Sequence, residues 1–226
     1  MRTAIRKRAA FFDIDDTLIT IKSMFRFLEY DIAESGRPPS DYRRAMDELR
    51  SLKAAGVPRL ETNRAFYRNF AGRREAELAA RGAEWFHAEH ARGGLFNDEV
   101  LSALRGHARA GALIVLVSGS FPPCLDPIAD FVGADLLLCS RPEVRDGRYT
   151  GALTLPMIGE VKAEAARVEA AARGIALEHS HAYGDHVSDL PLLEAVGHPV
   201  VVGDDPELND HAIQRGWPRG KAGVAT

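Results

Sequence analysis

Three carboxylates follow a short apolar run near the start of the chain, in Phe11-Phe12-Asp13-Ile14-Asp15-Asp16-Thr17-Leu18. If Ala9 to Ile14 is a buried strand, period two puts Asp13 and Asp15 on the same side. Burying like charges is costly unless a partner or a metal neutralises them. Mg²⁺ suits this pair, as a hard cation that takes oxygen ligands and sits between carboxylates and substrate phosphate. A solvated turn with Asp16 capping a helix accounts for one of these aspartates and not for three after a core strand. Two more polar clusters follow apolar runs. Ser118-Gly119-Ser120 comes after Ala112 to Val117, and Gly184-Asp185-His186-Val187-Ser188-Asp189 after His179 to Tyr183.

The elements that carry these clusters can be read from periodicity. Lys22 to Glu34, Tyr42 to Ala55, Leu60 to Phe70 and Arg73 to Ala91 have helical spacing and stop at Gly36-Arg37-Pro38-Pro39, Gly56-Val57-Pro58, Gly72 and Gly93-Gly94. No strand pattern interrupts them, which predicts an inserted helical bundle. After Asn97, a helix cap, the pattern changes. Short strands at Ala112 to Val117 (rich in Val, Leu and Ile), Leu136 to Cys139, His179 to Tyr183 and Pro199 to Val202 alternate with helices at Pro123 to Phe131, Val161 to Arg173, Leu190 to Val196 and Glu207 to Arg215. Asp146-Gly147 signals a hairpin. Strands alternating with helices predict an α/β fold with a doubly wound parallel sheet. The expected division is a core of residues 1–20 and 95–226 with a helical domain of residues 21–94. Such sheets bind ligands at the carboxyl ends of their strands, where the three polar clusters converge.

Asp13-Ile14-Asp15-Asp16-Thr17 resembles the DxDxT motif of the haloacid dehalogenase-like (HAD) phosphohydrolases, and the later clusters resemble that superfamily's other motifs in the same order. The resemblance covers nearly the whole chain. With the helical insert directly after the first motif, it is closest to the phosphoserine phosphatase-like members. It implies a Rossmann-like core with a helical cap, and an Mg²⁺-dependent phosphatase working through an aspartyl-phosphate. Asp13 would be the nucleophile and Asp15 the general acid/base. Ser118 and the Gly119 N–H would bind the phosphoryl group, and Lys162 would neutralise it. Asp13, Asp15 and Asp185 would hold Mg²⁺, with Asp189 supporting the metal shell or orienting Lys162. Taken alone, Ser118 equally suits a helix-start turn, Lys162 an exposed helix position, and Asp185 and Asp189 a cap and first turn. Finding all of them in order at strand ends argues for the site.

Substrate choice is expected to depend on Lys22, Arg64, Arg68 and His186. Phosphoserine phosphatases usually carry Glu near the position of Lys22, to hold the substrate ammonium. A lysine there repels an amine and attracts a carboxylate, sulfate or second phosphate, which argues against phosphoserine. Arg64, Tyr67 and Arg68 fall near one helical face, where relatives place a substrate-binding arginine. Each of these residues also has a surface or packing reading. His179 and His181 share one side of a strand but lack a third ligand for zinc.

The chain has 226 residues, 46% hydrophobic and 27% charged, with a formal net charge of −3. This composition is that of a soluble globular protein with no bulk basic signal for nucleic acid or membrane. Arg2, Arg6, Lys7 and Arg8 precede an apolar run too short for a signal peptide. Two cysteines, Cys124 and Cys139, fit a reducing cytoplasm. The expected partner is a small phosphomonoester. Three rivals are a phosphotransferase that passes the group to another alcohol, a metal-independent haloacid dehalogenase, and a non-catalytic phospho-receiver. A dehalogenase would leave Asp15 and Asp185 superfluous. A receiver would carry its acceptor Asp on a later strand and would lack the helical insert.

Overall fold

The computed structural model describes residues 7–220. Arg2, Arg6 and the last six residues lie outside them. Five parallel strands form the central sheet: β1 (Ala9–Phe12), β2 (Leu113–Ser118), β3 (Leu136–Cys139), β6 (His181–Gly184) and β7 (His198–Val201). Their order is β3-β2-β1-β6-β7, so β1 is central, with Phe11 opposite both Val115 and Ala182. The sheet is covered on both faces, as parallel sheets require. Ala10, Phe12, Ile114 and Leu116 pack into one core, and Ala9, Phe11, Val115 and Val117 into the other. β4 (Arg141–Arg145) and β5 (Arg148–Leu155) form the separate hairpin signalled by Asp146-Gly147.

Between β1 and β2 the chain builds α1 (Ser23–Glu34), α2 (Pro39–Ala54), α3 (Arg59–Tyr67), α4 (Glu75–Arg92) and α5 (Asp98–Arg109). The side chain of Asn97 caps α5 by accepting from the N–H groups of Glu99 and Val100. Later helices are α6 (Pro122–Val132), α7 (Glu160–Arg173), α8 (Leu190–Glu194) and α9 (Pro206–Arg215). α2 begins earlier than expected because Pro39 sits in its first turn, a position where the missing N–H costs nothing. His179 ends a short 3-10 turn, and its strand starts at His181. After Trp217 the chain returns to the sheet edge, where Gly220 N–H donates to the Val201 carbonyl at 2.8 Å. Among the described residues no helix is long and apolar enough to cross a membrane.

The helices after β1 do not stand apart from the sheet. Phe27, Tyr67 and Phe70 surround Phe121 at the start of α6, with ring centroids 4.9–5.9 Å apart. α4 lies so close on α6 that a Cβ at Gly82 would fall 1.6 Å from the Pro123 carbonyl oxygen. α2 is the exception, with Ala45 its only buried residue out of sixteen.

Candidate active site

The site lies where β1, β2 and β6 end. β1 stops at Phe12, and the chain turns at once: Thr17 and Ile19 N–H both donate to the Ile14 carbonyl, and Asp16 takes a left-handed φ of 60°. Asp tolerates that conformation better than most residues. The turn, not strand pleating, therefore sets the directions of the aspartates. The Asp13 carboxylate is buried and accepts from the Lys162 ammonium. Lys162, in the first turn of α7 and 3% exposed, also donates to Asp189 Oδ1 at 2.6 Å. Asp189's other oxygen accepts from His186 N–H at 3.3 Å. Asp185 Oδ1 accepts from the Thr17 hydroxyl at 3.0 Å.

Carboxylate oxygens of Asp13, Asp185 and Asp189 lie within 4.8 Å of one another. Burial raises the Asp13 pKa well above its usual range, and Asp189 and Asp185 add to this against the pull of Lys162. Asp185 is also raised, first by burial and then by Asp189. Burial works against the charge of Lys162, but Asp13 and Asp189 outweigh it and hold the ammonium protonated. Three carboxylates against one lysine leave an excess of negative charge on hard oxygen donors, and this set fits a divalent cation such as Mg²⁺. Asp15 is not in this group. Its Oδ1 accepts from the Ser23 N–H at 2.7 Å, and burial raises its pKa.

The glycine of Gly184-Asp185 is required by close approach. A Cβ at Gly184 would stand 2.7 Å from the Asp189 Cβ, so any side chain there would push Asp189 off Lys162. Ser118 ends β2 and is buried, and its Oγ accepts from the Ser120 N–H at 3.0 Å. The same peptide is held at its other end, because the Gly119 carbonyl accepts from Tyr67 Oη at 2.8 Å and Asn63 Nδ2 at 3.1 Å. Two α3 side chains thus steady the peptide that orients Ser118. Tyr67→Phe keeps the packed ring and is expected to lower kcat roughly five- to tenfold with little change in KM. Measured again in a Ser118→Ala background, the same change should cost almost nothing. An undiminished cost there would mean that Tyr67 acts elsewhere.

A cavity of about 450 Å³ opens over Asp15, Gly119 and Lys162. A second, of about 300 Å³, is lined by Asp16, Asp185, Asp204 and Asp205. Lys22 and His186 border both. Lys22 is ion-paired with Asp16, which raises its pKa despite burial acting the other way. His186 accepts through Nδ1 from Ser188 N–H at 3.0 Å, and burial lowers its pKa, with Arg59 adding to the effect. Arg64 and Arg68, expected at the specificity end, pair instead with Glu61 and Glu48 and do not line the cavity. The α3 stripe that does is Arg59, Thr62, Asn63 and Phe66, joined by Lys53 and Leu49 from α2. Spacing of three and four marks that stripe in the sequence, but the choice of face needs α3's partner, Gly119.

Residues 10–194 match the haloacid dehalogenase-like hydrolase family. The chain is 36% identical over 226 residues to a "probable phosphatase" of Mycobacterium tuberculosis, covering 96% of this chain and 76% of that protein. It is 30% identical over 224 residues to a phosphoserine phosphatase of the same organism, covering 92% and 69%. A solved structure of a Bordetella pertussis protein of unknown function superposes with a TM-score of 0.83 at 33% identity, covering 94% of this chain and 97% of that one. A substrate-bound phosphoserine phosphatase superposes with a TM-score of 0.66 at 18% identity, covering 90% of each chain, which speaks for the fold. The chain belongs to the haloacid dehalogenase-like hydrolase family, as a phosphatase with the fold of the phosphoserine phosphatases.

Proposed function

We propose that the chain hydrolyses a small phosphomonoester, other than phosphoserine, through an aspartyl-phosphate on Asp13, with Mg²⁺ bound. The carrying observation is the Asp13 carboxylate, fixed by Lys162 at the end of the central strand beside two further carboxylates. A carboxylate oxygen of Asp13 attacks phosphorus, and the bond to the leaving oxygen breaks as Asp15 protonates it. Asp15 then takes a proton from water, which attacks phosphorus, breaks the Asp13–phosphoryl bond and releases phosphate. The raised pKa of Asp15 favours the protonated form that the first step needs. Ser118 Oγ accepts from Ser120, so its hydroxyl is left to donate to a phosphoryl oxygen.

Asp13 and Asp185 would hold Mg²⁺ with Asp15 beside them, and Asp189, both of whose oxygens are engaged, would keep Lys162 in place. The ion would supply neutralisation of phosphoryl charge. Residues 21–94 act in this reading as a cap over a core of residues 1–20 and 95–226. Two buried free thiols, Cys124 and Cys139, fit a cytoplasmic setting. The test is phosphate release from a panel of small phosphomonoesters with Mg²⁺ or with chelator. Release that needs Mg²⁺ and disappears in Asp13→Asn is expected, with acid-quenched wild type carrying phosphate on the Asp13 peptide. Release that survives Asp13→Asn would remove Asp13 as nucleophile.

A further inference from the structure

The cavity over Asp15 has a lining of chemically different parts. Asp15, Lys162 and Gly119 belong to the reactive site. Lys53, in the last turn of α2, and Arg59, the first residue of α3, line the cavity from either side of the α2–α3 turn. Most basic side chains of residues 21–94 pair with carboxylates, among them Arg26, Arg37, Arg64 and Arg73. Among the described residues, Lys53 and Arg59 have no such partner. Most of the remaining lining is apolar: Met24, Phe25, Leu49, Val57, Phe66 and Ile158. Asp15 is the only carboxylate lining the cavity, and it already accepts from Ser23. Beyond Asp15 the lining therefore offers no carboxylate to hold an ammonium group.

We infer that this cavity takes a phosphomonoester with a second anionic group, a carboxylate or a further phosphate, joined to the phosphoryl end through an apolar body. The inference rests on the phosphatase reading for the phosphoryl end alone. Lys53 and Arg59 neutralise the distal anion. Arg59 is the better placed for a planar carboxylate, whose two oxygens its guanidinium can bridge. The apolar lining removes the spacer from water. An amine at the distal position would meet Lys53 and Arg59 with like charge.

The test is binding, so that it does not depend on turnover. Affinities for wild-type protein are measured by calorimetry with non-cleavable benzylphosphonate and its 4-carboxy and 4-aminomethyl derivatives, and with phosphonoacetate, which has the second charge and no apolar body. The 4-carboxy compound is expected to bind at least about tenfold more tightly than benzylphosphonate, with the aminomethyl compound and phosphonoacetate weaker than the 4-carboxy compound. In Lys53→Ala/Arg59→Ala the preference for the carboxy compound should collapse to near unity. Equal affinities in wild type, or a preference that survives the double substitution in folded protein, overturns the inference. Equal binding of phosphonoacetate and the 4-carboxy compound overturns its apolar part. Failure of the phosphatase reading would show separately, as no phosphate release from any ester while these binding differences persist.

Discussion

Lys162→Met is expected to abolish phosphate release and to destabilise the protein by about 3–5 kcal/mol, the usual cost of removing one partner from a buried ion pair. The large figure follows from burial. Lys162 is 3% exposed and is the cation that both Asp13 and Asp189 bond. Methionine fills much of the stem's volume but leaves two carboxylates facing each other without a proton donor between them. Lys162→Arg is no remedy, because its wider planar head does not fit a site made for a compact ammonium. Thermal melts in chelator separate the structural loss from the catalytic one. A variant that melts with the wild type, or that retains turnover, would refute this account of the lysine.

Gly82→Ala is expected to cost about 3 kcal/mol or more, at or beyond the upper end of ordinary overpacking. For a chain of this size that is a fall in Tm of roughly 6–12 °C. The sign is what makes the test sharp. Gly82 lies inside α4, where glycine to alanine normally stabilises by up to about 1 kcal/mol. Here the new Cβ would meet the Pro123 carbonyl at 1.6 Å, and both partners are helix backbone, so neither can turn aside. Gly106→Ala is the control. It lies within α5 with nothing within 4 Å of the added Cβ, and it should raise Tm slightly. If both substitutions stabilise, α4 and α6 do not meet as closely as described.

Much of the site was legible because a parallel sheet brings its strand ends together. Apolar runs ending in Asp13, Ser118 and Gly184-Asp185 were enough to place those residues near each other, and the structure brings Lys162 and Asp189 to them. The first pair is set by the turn after β1 and not by the strand. Strand pleating was expected to align Asp13 and Asp15, whereas β1 ends at Phe12 and a left-handed Asp16 sends the two carboxylates to Lys162 and Ser23. Of the four residues expected to govern substrate choice, Lys22 and His186 line the cavity and Arg64 and Arg68 do not, for a related reason. Spacing identifies helical stripes, but it does not say which stripe faces inward. Arg64 and Arg68 satisfied the period while belonging to the outer side. Lys53 and Arg59 also fit a helical period, with Leu49 and with Thr62, Asn63 and Phe66, but only the packing of α3 on Gly119 shows that their side lines the cavity.

The thin burial of α2 has a consequence for how this protein can change. The reactive site is fixed by the sheet, by α7 and by α3's grip on Gly119. Leu49 and Lys53 ride on a helix with one buried residue, at the low-stability end of the structure. Substitutions there disturb little packing and leave the chemistry untouched. Natural drift and laboratory exchange of α2 between relatives should therefore alter which esters are accepted long before they alter whether any ester is cleaved.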